Sequence, residues 1–387
     1  MTDFLPKSLH SSRKMPTFAA SLKNYMSQTA KTVTVESILS EIKSLSEKDL
    51  LQLLSKLFGQ ASLPAASLTS FVSEGRFTDG VVCPHCGKKH VRRNGHRKDG
   101  AQKYVCAECG KSFTARTNTI TAGSSKPLET WRKYIECMVN ELPIRQADDE
   151  CGMAASTSFV WRHKILDALR NMSEGVTLSG IAESDDTCFP PSFKGSHKNS
   201  KDFDMGRAPR KRGGDGISKG LSNDLVCVPC AVDRKGHSIA EVSNLGECSA
   251  EDIDNVLGSK IEAGSTFCTD GSKAQRKYAK SHGLECVQIK GGKSKKGIFH
   301  IQHINSFHSV LKKFIENFNG VATKYLNNYL AWHNFVNYSK NTVQEQKAVL
   351  LNYALTTSKR VTYAMIPARP EVPIPSGCTK NQSLKRT

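Results

Sequence analysis

Two short cysteine pairs constrain this chain more than any other feature. Cys83-Pro-His-Cys86 and Cys106-Ala-Glu-Cys109 are CxxC knuckles separated by nineteen residues. Each can place two thiolates on one tetrahedral ion, and Gly87 and Gly110 suit the tight turn that follows. Soft thiolates select Zn2+, and a closed four-sulfur shell is structural rather than catalytic. The expected ligands are Cys83, Cys86, Cys106 and Cys109; His85, His90 and His96 are spare. A third CxxC, Cys227-Val-Pro-Cys230, lies in an apolar strand pattern without a partner pair and reads as buried strand cysteines. The total of thirteen cysteines is odd, so a full disulfide framework is excluded.

Charge supplies the next constraint. Lysine and arginine total 55 against 36 acidic residues, a net +19 over 387 residues, which points to a polyanionic partner. No stretch approaches the ~20 apolar residues of a spanning helix. The N-terminus lacks the apolar core of a signal peptide. The expectation is a cytoplasmic, nucleoid-associated protein with double-stranded DNA as partner and no membrane. Lys88, Lys89, Arg92, Arg93, Arg97, Lys98, Lys103, Lys111 and Arg116 crowd the cysteine segment, opposed only by Asp99 and Glu108. Such density on a small rigid module favours phosphate contact.

Periodicity divides the rest. Residues 1–34 read as a disordered extension, with Met15 or Met26 as other possible starts. Segment 35–75 reads as a helical hairpin, with apolar residues at helical spacing from Val35 to Phe58. The zinc ribbon occupies 80–116. Segment 126–172 holds helices at Leu128–Asn140, Ile144–Glu150 and Ala155–Leu169, with Gly152 in the turn before the last. This is a helix-turn-helix pattern, and Ser156, Thr157 and Ser158 in the final helix's first turn could reach DNA. From 178 to 340 strands alternate with helices: strands at Gly180–Phe189, Leu225–Asp233, Ser238–Ser243, Thr266–Thr269 and Glu285–Ile289, and helices at Ala250–Ile261, Ser272–Ser281, Ile298–Phe318 and Val321–Tyr338. The fold class is therefore α/β. A glycine-rich basic loop lies between Pro190 and Asn223. Segment 341–387 reads as a C-terminal helix and basic tail, unstructured after Pro367.

Carboxylates mark the chemistry. Asp185 and Asp186 end a strand reading Gly180-Ile-Ala-Glu-Ser-Asp-Asp-Thr, and Asp270 ends Thr266-Phe-Cys-Thr. Asn305 lies on a later helix. Such oxygens can converge on hard divalent cations, which activate one oxygen of a phosphodiester exchange and stabilise the other. On that helix Ile301, Ile304, Leu311 and Ile315 form the apolar stripe, with Asn305, Ser309, Lys312 and Glu316 beside it. Lys312 thus projects two turns from Asn305, where it could hold a phosphate. His300, His303 and His308 are near enough to be ligands, but outer-shell or DNA contact suits histidine better than Mg2+ does.

These stretches resemble the bacterial insertion-sequence transposases with an N-terminal zinc ribbon, a helix-turn-helix and an RNase H-like catalytic domain. The resemblance is carried by Cys83–Thr114, the segment through Trp161-Arg-His, Glu183-Ser-Asp-Asp-Thr-Cys-Phe, Ser192-Phe-Lys-Gly, Thr269-Asp-Gly and His303-Ile-Asn-Ser-Phe-His-Ser-Val-Leu-Lys-Lys-Phe. It covers roughly residues 80–340. It implies that Asp185, Asp270 and Asn305 hold Mg2+ (or Mn2+), with Lys312 as a fourth catalytic residue. Most of the superfamily has glutamate at the third position; one branch is similar in having asparagine followed by a lysine matching Lys312. Asp-Glu is common at the first motif, where this chain has Asp185-Asp186. The implied activity is cleavage at terminal inverted repeats and strand transfer by a dimer or larger synapse. Arg207, Arg210, Lys211, Arg212, Lys290, Lys293, Lys295 and Lys296 would track phosphates. Two alternatives use the same residues: a zinc-ribbon DNA-binding protein with an inactive catalytic fold, and a nuclease or resolvase that hydrolyses without strand transfer.

Overall fold

The computed structural model describes residues 65–195, 225–289, 295–358, 360–370 and 373, all within one compact unit. The extension 1–34, the helices read between Val35 and Phe58, the arginine-rich loop and Lys290 and Lys293 lie outside the described residues.

The ribbon is a small antiparallel sheet of β1 (Val91–His96), β2 (Gln102–Cys106) and β3 (Ser112–Phe113). Its core is Tyr104 stacked on Phe113 at 5.4 Å, with Phe77 packed edge-on against both. The ribbon therefore begins a few residues before position 80. The preceding helix α1 (Ala65–Arg76) falls at the end of the segment 35–75 read as a helical hairpin, after the two helices placed between Val35 and Phe58; it buries Leu68 and Val72 in the main core.

Three helices follow: α2 (Leu128–Val139), α3 (Ile144–Cys151) and α4 (Ala155–Ser173). The helix-turn-helix outline is present, but α4 is a core helix. Trp161 stacks on Trp131 at 3.6 Å. Arg162 and His163 are fully buried, and Arg162 donates to the Leu142 carbonyl while lying over the Trp332 ring. Ser158 is buried against the Tyr134 hydroxyl, so of the three hydroxyl residues in the first turn only Ser156 is exposed. The reason is packing on several sides: α4 meets its neighbours in this segment and the helices that follow the sheet, and has little free surface.

The main sheet runs β6 (Ser238–Ala240), β5 (Val226–Asp233), β4 (Ile181–Phe189), β8 (Thr266–Thr269), β9 (Glu285–Gln288), with β7 (Asn244–Leu245) also on β5. β4 pairs antiparallel with β5 and parallel with β8, and β8 pairs parallel with β9. This is the mixed sheet expected of an α/β domain. Pro229, which has no N–H to give, lies where β5 passes from its β7 partner to its β6 partner. One sheet face carries α5 (Ala250–Leu257) and α6 (Lys273–Ser281); the other carries α7 (Gln302–Asn317) and α8 (Leu326–Asn337). The last helix, α9 (Val343–Thr356), starts with a capping box of Thr342 and Glu345 and buries Leu350, Leu351 and Leu355 in the same core as α1 and α2. The expectation of an unstructured chain after Pro367 is corrected in part: one guanidinium nitrogen of Arg369 donates to both carboxylate oxygens of Asp167, at 2.7 and 2.8 Å. No described helix is long and apolar enough to cross a membrane.

Candidate active site and metal centres

The four ribbon thiols meet as their spacing requires. Cys83 Sγ lies 3.7 Å from Cys109 Sγ, and Cys86 Sγ lies 3.6 Å from Cys106 Sγ. All four sulfurs fall within 4.8 Å of one another. A Zn–S bond of about 2.3 Å gives a tetrahedral edge of about 3.8 Å, so the donor set fits Zn2+. The knuckles repeat one design: Gly87 N donates to Cys83 O and Gly110 N to Cys106 O, with φ of 73° and 67° that favour glycine. Backbone N–H groups of Cys109 and Glu108 hold the Cys106 thiol down at about 7. Of the nine cations read here, Lys88, Lys89, Arg92, Arg93, Arg97, Lys98 and Lys111 are exposed. Arg116 is turned inward instead, donating to the carbonyls of Thr121 and Ser124.

In the sheet, alternation along β4 decides which groups face which side. Glu183, Asp185 and Thr187 face α7; Ser184, Asp186 and Cys188 face α5 and α6. Asp185 is the fifth of nine strand residues, not the end expected from sequence. Its neighbour strand ends earlier. The parallel register pairs Ser184 with Thr269, which sets Asp185 beside Asp270. Adjacent strands lie ~4.8 Å apart, so the two carboxylates are neighbours. Burial, then the Asp270 charge, push Asp185 up to about 6, and Lys312 acts the other way. Asp270 Oδ1 accepts from Ser272 N at 2.9 Å, which fixes its turn.

Helix α7 supplies the other wall. Ile304, Phe307, Leu311, Phe314 and Ile315 are buried as its apolar stripe, with Ile301 half-buried at the start. Asn305 and Lys312 are exposed, three residues before and four after His308. His308 is buried, with Nδ1 3.9 Å from Asp185 Oδ2. Burial and Lys312 push its pKa down to about 4, so it is neutral. Asp185 and Asp270 thus lie together where the β4–β8 ladder ends, with Lys312 near enough to act on Asp185 and Asn305 two turns before Lys312 on the same helix. An adjacent carboxylate pair with an amide oxygen on the facing helix is a donor set suited to a hard cation.

Two residues that were not assigned roles hold α7 in place. Glu183 Oε2 accepts from the backbone N–H of His303 at 2.8 Å and of Ile304 at 3.3 Å. Its Oε1 lies 2.6 Å from His303 Nδ1 and 3.1 Å from His300 Nδ1. A buried carboxylate from β4 thus caps the helix N-terminus, where anions are favoured, and accounts for two of the three histidines. At the other end Lys194 Nζ donates to the carbonyls of Phe318, Asn319 and Gly320. Sequence offered one signal for Glu183: it shares Asp185's face of a strand whose other inward residues are small or apolar. Asp186 is on the opposite face, accepting from Gln275 Nε2 at 2.7 Å, and so is separate from this group.

Comparison with known proteins places this geometry. Residues 177–336 match the ISXO2-like transposase domain, and residues 66–112 match the transposase zinc-ribbon domain. A protein of the transposable element ISH50 of Halobacterium salinarum is 24% identical over 264 residues, spanning 67% of this chain and 86% of the relative. The first match covers β4 through α8, whose mixed sheet is consistent with the RNase H-like fold of that family. The chain therefore belongs to the insertion-sequence transposases that join a zinc ribbon to an ISXO2-like transposase domain.

Proposed function

We propose that this transposase binds the terminal inverted repeats of its element and catalyses Mg2+-dependent strand cleavage and strand transfer. The observation that carries the reading is Asp185 beside Asp270 at the end of the parallel β4–β8 ladder, facing the helix of Asn305 and Lys312. Asp185, Asp270 and Asn305 would hold Mg2+ (or Mn2+) through oxygen. Ions so bound stabilise the attacking and leaving oxygens of a phosphodiester.

The chain's own residues position the DNA. Lys312, close enough to Asp185 to lower its pKa, would hold a phosphate oxygen of the reacting strand. His308, neutral and buried, packs under Asp185 without competing for a cation. The exposed ribbon cations, with Lys295 and Lys296, would follow the backbone, and the first turn of α4 around Ser156 is left to approach it. Water attack at the element end frees a 3′ hydroxyl, which then attacks target DNA. Two ends joined to one target require two such sites, so the working form is a dimer or larger synapse.

A strand-transfer assay on DNA carrying the element's ends, with Mg2+ and with Asp185→Asn and Asp270→Asn variants, tests the proposal. The wild type should join ends to target and both variants should not. Activity that survives both substitutions removes the assignment. Cleavage without joining identifies a nuclease, and binding without cleavage an inactive DNA-binding protein.

A further inference from the structure

On the side of β4 turned away from Asp185, a carboxylate and three cysteines meet. Asp186 and Cys188 leave β4 on that side, and Cys227 of β5 is paired directly across from Cys188. Cys248 arrives from the loop that enters α5. The ligand atoms of Asp186, Cys227 and Cys248 all lie within 4.8 Å of one another. The Cys227 thiol thus has Cys188 beside it across the strand pair and Cys248 beside it from the loop. Cys227 is 1% exposed and Cys248 6%. Cys230, the other half of the CxxC, is on the opposite face and points at the Val228 carbonyl.

We propose that Asp186, Cys188, Cys227 and Cys248 form a second Zn2+ site, independent of the ribbon and of the transposase reading. Three sulfurs and one oxygen make a tetrahedral set of the kind zinc takes, and too soft a set for Mg2+. Three of the four donors, on Asp186, Cys227 and Cys248, are as closely gathered as the ribbon's sulfurs, within 4.8 Å of one another, and Cys188 is the cross-strand neighbour of Cys227. A half-buried carboxylate packed against buried thiols is costly without a counter-charge, and a divalent cation supplies it. Outer partners are in place: Gln275 Nε2 on Asp186 Oδ1 at 2.7 Å, and Ser243 Oγ 3.4 Å from Cys248 Sγ. Ser184 Oγ in turn donates to Gln275 Oε1, which fixes the amide. An ion there ties β4, β5 and the start of α5 together. It also holds Asp186 on its own face, and with it the strand position of Asp185, its covalent neighbour. The sequence hid this site because its ligands come from three places in the chain, two from β4 and one each from β5 and the loop before α5.

The test is metal content of the full-length protein, purified without chelator and kept in excess Mg2+ so that the carboxylate site does not take zinc. Two Zn2+ per chain are expected. On replacement by Co2+, the second equivalent should add sulfur-to-cobalt charge-transfer absorption. Cys227→Ser and Cys248→Ser should each lower the count to one, with the ribbon's absorption retained. One metal per chain in the wild type overturns the proposal. So does a second equivalent without the sulfur band, or a folded Cys248→Ser protein that keeps two. The count and the band are read on the wild type, so they decide even where a variant fails to fold.

Discussion

Replacing Asp185 by asparagine should make the Mg2+-free protein more stable. The Asp185 side chain is 27% exposed, and burial with the Asp270 charge raises its carboxyl from 3.8 to about 6. A rise of about two units corresponds to roughly 3 kcal/mol against the charged form. The net gain is about 1–3 kcal/mol. The sign follows from linkage. The folded pKa lies above the unfolded one, so above about pH 6 both states are ionised and the folded state carries the full penalty. As pH falls through about 6 towards about 4, the folded state takes up a proton first and the penalty disappears. Urea unfolding, followed by the fluorescence of Trp131, Trp161 and Trp332, reads this directly because all three sit in one core. Asp185→Asn should be the more stable protein at about pH 7.5, with the advantage shrinking at about pH 4.5. Mg2+ should stabilise the wild type and not the variant. A variant less stable at neutral pH, or one equally stabilised by Mg2+, refutes the reasoning.

Glu183→Ala leaves the His303 and Ile304 N–H groups and two histidines without their acceptor, and should cost about 3 kcal/mol in urea unfolding, with Glu183→Gln costing less. A cost under about 0.5 kcal/mol would show that the cap does not hold α7. Asn305→Asp restores a charge to the proposed ligand set, so the Mg2+ concentration for half-maximal strand transfer should fall; an unchanged or higher requirement would remove Asn305 from the set. Cys106→Ser should release the ribbon's zinc and speed hydrogen exchange across 81–113 while leaving the helical core protected, and DNA binding should become less salt-sensitive. Unchanged exchange in the ribbon would show that its aromatic core suffices without metal.

Much of the proposed site was legible because its signals are local. The cysteine knuckles need only a spacing of two residues, and β4, β5, β8 and β9 were read from runs of strand-forming residues within a few positions of their ends. The stripe of Ile304, Leu311 and Ile315 on α7 followed from helical period, and with it the exposure of Asn305 and Lys312. The burial of Arg162 and His163 was not legible for the opposite reason. Partners distant in sequence enclose them: Leu142, Phe318 and Trp332 around Arg162, and Tyr325 and Tyr329 around His163.

By itself, then, the sequence determined most of the longer helices and strands, the ribbon's cysteine ligands and the candidate residues Asp185, Asp270 and Asn305, since these depend on neighbours a few residues apart. Only the tertiary structure decided which carboxylates meet. The register of β4 against β8 puts Asp185 with Asp270, and strand alternation sends the adjacent Asp186 to the other face among cysteines. The same packing made Glu183 a helix cap rather than a free acid. Such contacts join residues up to 120 positions apart, and they form only when the sheet and its helices bury their apolar faces together.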